Sequence, residues 1–445
     1  MRKINLIIIT FLFAFVLSNA DAQNVKTLSL QEALDYAMDN NYSLIRSEMD
    51  IEAAKQRIKE STSIGLPQVN ASVGYNDNFA RMTMILPPEF SPDPTQREVQ
   101  FGTKYDATLS ASATQLIFSG EYIVGLKAAK KYLESTNADF FRNKVAVKQQ
   151  VANSYYNVLT VENALFIIDT TLKITKNIAE ETKQIYEVGF NEDIDVDQLE
   201  LLVSDLEASK LNFENQRELA YSYLKFYLGI DEQDSLVLTD NMGSLINKLE
   251  SSSILLDDFV INNNPDFNYL LKQKELTSLQ VDLEKATYLP SINARLNYQT
   301  QAQRDTWNFF NSGKWYPSST LGITMNIPIF SSGTRASKLK QAKIAFEQIN
   351  VQEDELKNQL NLQYRNARNN YLNSYKLYTN KNKNRRVAEK IYKKTLEKFT
   401  LGLASSLDIL NTHNQFLNAE SDYITASQSF LQAGEELKKV LAKSY

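Results

Sequence analysis

Tyr186-Glu187-Val188-Gly189-Phe190-Asn191-Glu192-Asp193-Ile194-Asp195 has a counterpart 213 residues later, Phe399-Thr400-Leu401-Gly402-Leu403-Ala404-Ser405-Ser406-Leu407-Asp408. In both stretches an aromatic residue precedes the glycine by three positions and an aspartate follows it by six. Glycine closes a helix because it reaches φ > 0 at least cost, and the acidic or Ser-rich run behind it opens another. Gly189 and Gly402 are therefore read as hinge glycines at the tips of two tall helical hairpins. The same offset aligns Gly120 with Gly333 and Ala129-Lys130 with Ala342-Lys343. Register held over so long a stretch marks an internal duplication.

Working outward, residues 120–188 hold no proline and one internal glycine, Gly125, which predicts a helix of about 69 residues, ~100 Å long. Val151, Tyr155, Val158, Leu165, Ile168 and Leu172 form a seam at coiled-coil spacing, and Leu199, Leu202, Leu206 and Phe213 continue it to Leu228-Gly229. The second hairpin has its own seam of Leu339, Ala342, Phe346, Ile349, Leu356 and Leu360, and a last helix over about 405–443. All nine prolines lie outside 95–264 and 329–445, as unbroken helices require.

Four segments switch to a period of two. Val69, Ala71, Val73 and Tyr75 alternate with polar residues, as do Tyr105, Ala107, Leu109, Ala111 and Ala113. So do Ile292, Ala294, Leu296 and Tyr298, and then Leu321, Ile323, Met325 and Ile327. Leu66-Pro67 and Leu289-Pro290 mark the strand starts, so Pro67 and Pro290 are equivalent positions. A helix of about 35 residues is expected from the Ser29/Glu32 capping box to Gly65, and another over about 253–288, interrupted at Asn264-Pro265. The Pro-rich segment 87–94 reads as a loop, and 230–253 as a connector of short elements.

Residues 1–22 carry a charged start (Arg2, Lys3), an apolar core and an Ala20-Asp21-Ala22 cleavage site, the pattern of a secretory signal peptide. The remainder would carry 46 basic and 52 acidic residues, a balance that favours no nucleic acid. With no cysteine, neither a disulfide framework nor a lipidated cysteine is available. The single histidine, His413, stands without the partners of a metal or catalytic constellation, and no phosphate loop, nucleophile elbow or HExxH motif occurs. No enzyme activity, cofactor or metal site is expected.

Each strand is about ten residues long, with one apolar and one polar face, as a bilayer-crossing strand around a water-filled pore requires. Four strands cannot close on themselves, and open edges in lipid leave backbone groups unpaired. Three chains sharing one barrel would supply 12 strands. The fold expected is mainly α: a long coiled-coil helical barrel plus four transmembrane strands per protomer, with a 12-strand β-barrel shared by a trimer. On this reading Leu109 and Ile323 face lipid. The competing class is a soluble periplasmic coiled-coil adaptor or scaffold.

The order of these features resembles the TolC family of outer-membrane efflux proteins across essentially the whole mature chain. Its carriers are Leu28-Ser29-Leu30-Gln31-Glu32-Ala33-Leu34, the two Leu-Pro strand starts, the Ile-Phe-Ser segments near 117 and 329, and the two tips. The resemblance implies a signal peptide (1–22), a first repeat (23–229), an equatorial connector (230–253) and a second repeat (254–445). It also implies a homotrimeric exit duct in the Gram-negative outer membrane with a periplasmic helical tunnel. A periplasmic adaptor would dock on the tips, and an inner-membrane transporter of RND, ABC or MFS type would supply energy. Carried over by position, Asp408 is the constriction residue, Asp195 the first tip's acidic partner, and Tyr186 and Phe399 the tip aromatics. The chain departs from the family pattern: Phe399 lacks the usual hydroxyl, Ala404 replaces a frequent arginine, and Asn411 replaces a second aspartate. An acidic ring of one carboxylate per chain would result, with weaker cation binding. Asp195 and Asp408 suit first-turn capping equally well, and the two roles are compatible.

Overall fold

The computed structural model describes residues 25–85, 87, 98–190, 192–311 and 313–442. The expected signal peptide and most of the Pro-rich loop lie outside them. In chain order the elements are β1 (Val25–Leu28), α1 (Leu30–Asn40), α2 (Tyr42–Ser63), β2 (Gln68–Asp77), β3 (Met82–Ile85), β4 (Glu98–Phe101) and β5 (Tyr105–Phe118). Then come α3 (Gly120–Glu187), α4 (Asp193–Leu228), β6 (Ser235–Leu238), α5 (Met242–Glu250) and α6 (Pro265–Ala286). The chain ends with β7 (Ser291–Arg304), β8 (Tyr316–Asn326), α7 (Thr334–Thr400) and α8 (Ser406–Val440). The long helices run 68 and 67 residues, their return helices 36 and 35. Among the described residues no helix is long and apolar enough to cross a membrane.

Two compact units divide the contacts: residues 1–49, 138–269 and 354–445 in one, 50–137 and 270–353 in the other. Each draws on both halves of the sequence.

In the first unit, the core gathers Val151, Tyr155 and Val158 of α3, Leu224 and Leu228 of α4, and Phe430 and Leu437 of α8 around the connector residues Leu245 and Ile246. The connector is thus a packed element: α5 buries Met242, Leu245, Ile246 and Leu249, and β6 pairs in parallel with β1. Further along α3 and α4, Ile168, Leu172, Leu202 and Leu206 form a separate seam cluster. That is the coiled-coil spacing seen in the sequence.

In the second unit, four strands form one antiparallel sheet in the order β2-β5-β7-β8. Its register aligns Val73 with Leu109 and Leu109 with Thr300, while Leu296 stands between Ala113 and Leu321 and Ala294 opposite Ile323. Paired residues project to the same side of a sheet. The apolar alternation of all four strands therefore falls on one face, and Leu109 and Ile323 share it. The other face aligns Ser72, Ser110, Gln299 and Ser318. Pro67 and Pro290 each stand immediately before a strand, β2 and β7.

Two expectations are corrected and one is extended. The helix expected from Ser29 to Gly65 is two helices, because Asn41 takes an extended conformation (φ −67°, ψ 126°). Its side-chain oxygen then accepts from the Ser43 and Leu44 N–H groups, so it both ends α1 and caps α2. The helix expected from 253 begins only at Pro265; before it lie two 3-10 turns, Ile254–Leu256 and Ile261–Asn263. Proline at the first helical position has no N–H to lose, so it starts α6 where an interruption was expected. Finally, the segment read as a loop is flanked by a short hairpin, β3 paired with β4.

Candidate functional site: hairpin tips and strand face

The two tips are built alike. In the first, the Gly189 N–H donates to the Tyr186 carbonyl (2.8 Å) and the Phe190 N–H to that of Ile185 (3.1 Å). In the second, Gly402 donates to Phe399 (2.9 Å) and Leu403 to Lys398 (2.8 Å). Both are Schellman closures, which need a left-handed residue after the helix; Gly189 has φ 84° and Gly402 φ 70°. Tyr186 and Phe399 thus hold their tips through backbone carbonyls. The Tyr186 side chain is exposed and that of Phe399 half-buried.

The helix starts behind the glycines differ. Ser405 caps α8 in a reciprocal box: its hydroxyl receives the Asp408 N–H (3.2 Å), while its own N–H and hydroxyl both donate to Asp408 Oδ2 (2.9 and 2.8 Å). The Ser405 backbone N–H, then its hydroxyl, hold the Asp408 carboxyl below its usual range. Asp408 is exposed, with its other oxygen, Oδ1, in none of these three bonds. In α4, Glu192 is the N-cap residue and makes no side-chain cap bond. Asp195 is instead turned across to the second tip, where its carboxylate accepts the hydroxyl proton of Ser406. Ser406 is buried, and Gln198 Oε1 stands 3.0 Å from the same hydroxyl.

Of the residues expected at the tips, the structure joins Asp195 to the second tip but through Ser406, and it leaves Asp408 capping its own helix. Sequence reasoning misses Ser406 and Gln198. The signal available was the doubled Ser405-Ser406, of which only one serine can serve as the cap. Around these polar contacts Val188, Phe190, Leu401, Leu403 and Leu407 are exposed, an apolar rim on both tips.

His413 lies about two turns behind Ser406 on α8 and is fully buried. Tyr392 meets it edge-on at 5.4 Å, and among the described residues neither ring nitrogen has a partner. Burial alone pushes its pKa down to about 4. The ring is therefore neutral near neutral pH and a weak base, packed as a core side chain. Among the described residues no group of three His, Asp or Glu could hold a metal ion.

The second feature is the sheet face. Val69, Val73, Leu321 and Ile323 are each at least 73% exposed although they are the apolar residues of their strands. Soluble monomers rarely leave so contiguous an apolar patch uncovered. The opposite face is stitched by polar contacts, Ser72 to Ser110 (2.7 Å) and Asn76 to Asp106 (2.8 Å). Among the described residues β2 and β8 each pair on one side only, leaving two open edges. At the far end of the strands Tyr75 stacks on Tyr105 and meets Phe309 edge-on.

Comparison with known proteins agrees with this architecture. The outer membrane protein TolC of Vibrio cholerae is 22% identical over 320 residues, which cover 72% of this chain and 68% of that one. The proteases secretion protein PrtF of Dickeya chrysanthemi is 18% identical over 426 residues, 95% of this chain and 89% of that one. The chain spans 64% of the length of several pump proteins of Pseudomonas putida. The crystal structure of the outer membrane protein VceC from Vibrio cholerae superposes with a TM-score of 0.71 at 15% identity, covering 93% of this chain and 96% of that one. The profile of the family described as outer membrane efflux protein matches residues 33–230 and 258–443. With most of its length matched by that profile, the chain belongs to the outer membrane efflux protein family.

Proposed function

We propose that three copies of this chain form the outer-membrane exit duct of a tripartite export system. The observation that carries the reading is the one-sided sheet: four strands, an exposed apolar face holding Leu109 and Ile323, a polar face opposite, and two unpaired edges. In lipid an open edge leaves N–H and C=O groups unsatisfied, so β8 of one chain pairs with β2 of the next until 12 strands close. The apolar face then meets lipid and the polar face lines water.

The coiled helices continue the pore into the periplasm, residues 23–229 and 254–445 acting as two copies of one plan. Their tips close it, with the Asp195–Ser406 bond as the clasp between the two hairpins of each chain and Asp408 contributing one carboxylate per chain to the narrowest ring. The exposed apolar rim of the tips suits a periplasmic adaptor's helical hairpin, and an inner-membrane transporter drives export. The duct itself performs no chemistry; passage is passive.

A soluble periplasmic adaptor would cover or polarise both sheet faces, whereas one face here is apolar and exposed. Membrane fractionation tests the choice. The protein should sediment with outer membranes and leave them only with detergent; recovery in the soluble fraction after cell breakage would refute the duct.

A further inference from the structure

In the first compact unit, contacts above the tips set the order of the long helices. Lys176 pairs with Glu207 and Asp169 with Lys210, each at 2.5 Å, joining α3 to α4. The Tyr156 hydroxyl donates to Glu435 (3.0 Å), joining α3 to α8, and Arg385 donates to Glu420 (3.2 Å), joining α7 to α8. α4 and α7 are therefore the outer members of a row. Asn41, which caps α2, donates to the Tyr227 carbonyl at the end of α4 (2.7 Å). By connectivity α2 leads into the open strand β2, and α7 follows the open strand β8. Pairing of β8 with a neighbour's β2 would thus bring together the margins that carry α7 and α4.

These margins carry opposite charge. Residues 184–209 hold no lysine or arginine, and residues 356–388 hold no aspartate or glutamate. α4 buries Leu199, Leu202 and Leu206, and its opposite side presents Asp193, Asp197 and Glu200, all exposed. α7 turns Tyr378, Arg385 and Tyr392 to α8, and its opposite side presents Lys390, Lys394 and Lys398, all exposed. Among the described residues Asp197, Glu200 and Lys390 have no ion-pair partner, and Lys394 has only Glu397 of its own helix. The levels also agree. Asp193 and Lys398 each lie four residues from their tip glycine, Asp197 and Lys394 eight, and Glu200 and Lys390 eleven and twelve. The Asp195–Ser406 bond holds the two tips of one chain together. Rotation about a cyclic axis shifts nothing along it, so levels equal within one chain stay equal between chains. We propose that the acidic column of α4 on one chain docks, level for level, against the basic column of α7 on a second copy. Single exposed pairs contribute little, but a column of them facing its complement fixes register and neighbour. This interface rests on the three-chain reading and names the contact that closes its helical part.

The chain has no cysteine, so Asp197→Cys combined with Lys394→Cys places one thiol on each margin. In outer membranes holding the full-length protein, a short bis-maleimide should join the chains into covalent trimers on denaturing gels. Either single variant should stay monomeric. Asp197→Cys with Lys376→Cys, whose second thiol stands about 27 Å further from the tip on the same side of α7, should link about tenfold less. Charge is read separately. Lys390→Glu with Lys394→Glu should speed dissociation of the trimer in SDS about tenfold, and adding Asp197→Lys with Glu200→Lys should bring the rate back to within about twofold. Two results would overturn the proposal and leave the three-chain reading standing: no linking by the matched pair in particles that hold three chains, or equal linking by the off-level pair. Particles of a single chain would remove both.

Discussion

Ser406 at the start of α8 gives its hydroxyl proton to Asp195 in the first turn of α4, joining two hairpin tips that are 211 residues apart in sequence. Neither residue caps its own helix: Glu192 and Ser405 hold those positions. With capping assigned elsewhere, the bond is free to act as a clasp between hairpins. A hydrogen bond to a charged group contributes about 1.5–3 kcal/mol when shielded, less here because Asp195 is partly exposed.

Ser406→Ala should therefore loosen the tip and raise single-channel conductance or open probability in planar lipid severalfold, with Asp195→Asn giving a smaller effect in the same direction. Ser405→Ala, one residue away, should destabilise α8 by about 0.5–2 kcal/mol as a lost cap does, without that rise. Identical channels from Ser406→Ala and the unaltered protein would assign the bond to local packing.

Asp408 both caps α8 and is proposed to line the constriction, and charge separates the roles. Asp408→Asn keeps an oxygen for Ser405 but removes the negative ring, so divalent-cation block should weaken while thermal stability changes little. The carboxyl is held below its usual range by the Ser405 N–H and hydroxyl. Its ionised form is thus favoured by folding, with full effect above the ordinary aspartate range and loss as pH falls through the lowered folded value. Block should accordingly be lost at a lower pH than the ordinary titration of an aspartate would set. Unchanged block in Asp408→Asn would leave capping as the residue's only role.

The sheet register makes a matched pair of substitutions informative. Leu109→Arg or Ile323→Arg puts charge on the apolar face, at a cost of about 2–4 kcal/mol at mid-bilayer, and should prevent heat-resistant oligomers. Ser110→Arg, the next residue along β5 on the polar face, should assemble normally. Equal assembly by all three variants would contradict the facing.

Burial of His413 makes an acid-side prediction. Its folded pKa, about 4, lies below the ordinary 6.5, so the unfolded chain takes up the proton first. Stability should fall as pH drops from 6.5 towards 4, by about 3 kcal/mol over the window. His413→Leu should flatten that slope, read from denaturant melts at pH 7 and pH 5. A slope unchanged by the substitution would place the acid sensitivity elsewhere, Glu420 excepted: burial raises its pKa, which favours the acid form.

Much of this was legible in the sequence because long-range order here rests on short-range periodicity. Alternation at Val69–Tyr75 and Leu321–Met325 gave strands, and the register then made their apolar sides coincide; Ile327 lies just past the end of β8. Absence of proline over 120–188 gave a continuous helix. The break at Asn41 is hidden because Asn sits inside a continuing helical pattern, and only the chain's fold shows its side chain turned to cap α2. Pro265 reads as an interruption when it is a start, since a proline suits either. The Asp195–Ser406 clasp is out of reach for a different reason. Each residue alone has an ordinary first-turn explanation, and only packing of the two tips brings them together.

Native mass spectrometry of the protein extracted from outer membranes tests the central claim most directly, because strand closure fixes how many chains a particle must hold. The result expected is three chains per particle, stable only with detergent or lipid present. A single chain, monodisperse in plain buffer, would contradict it.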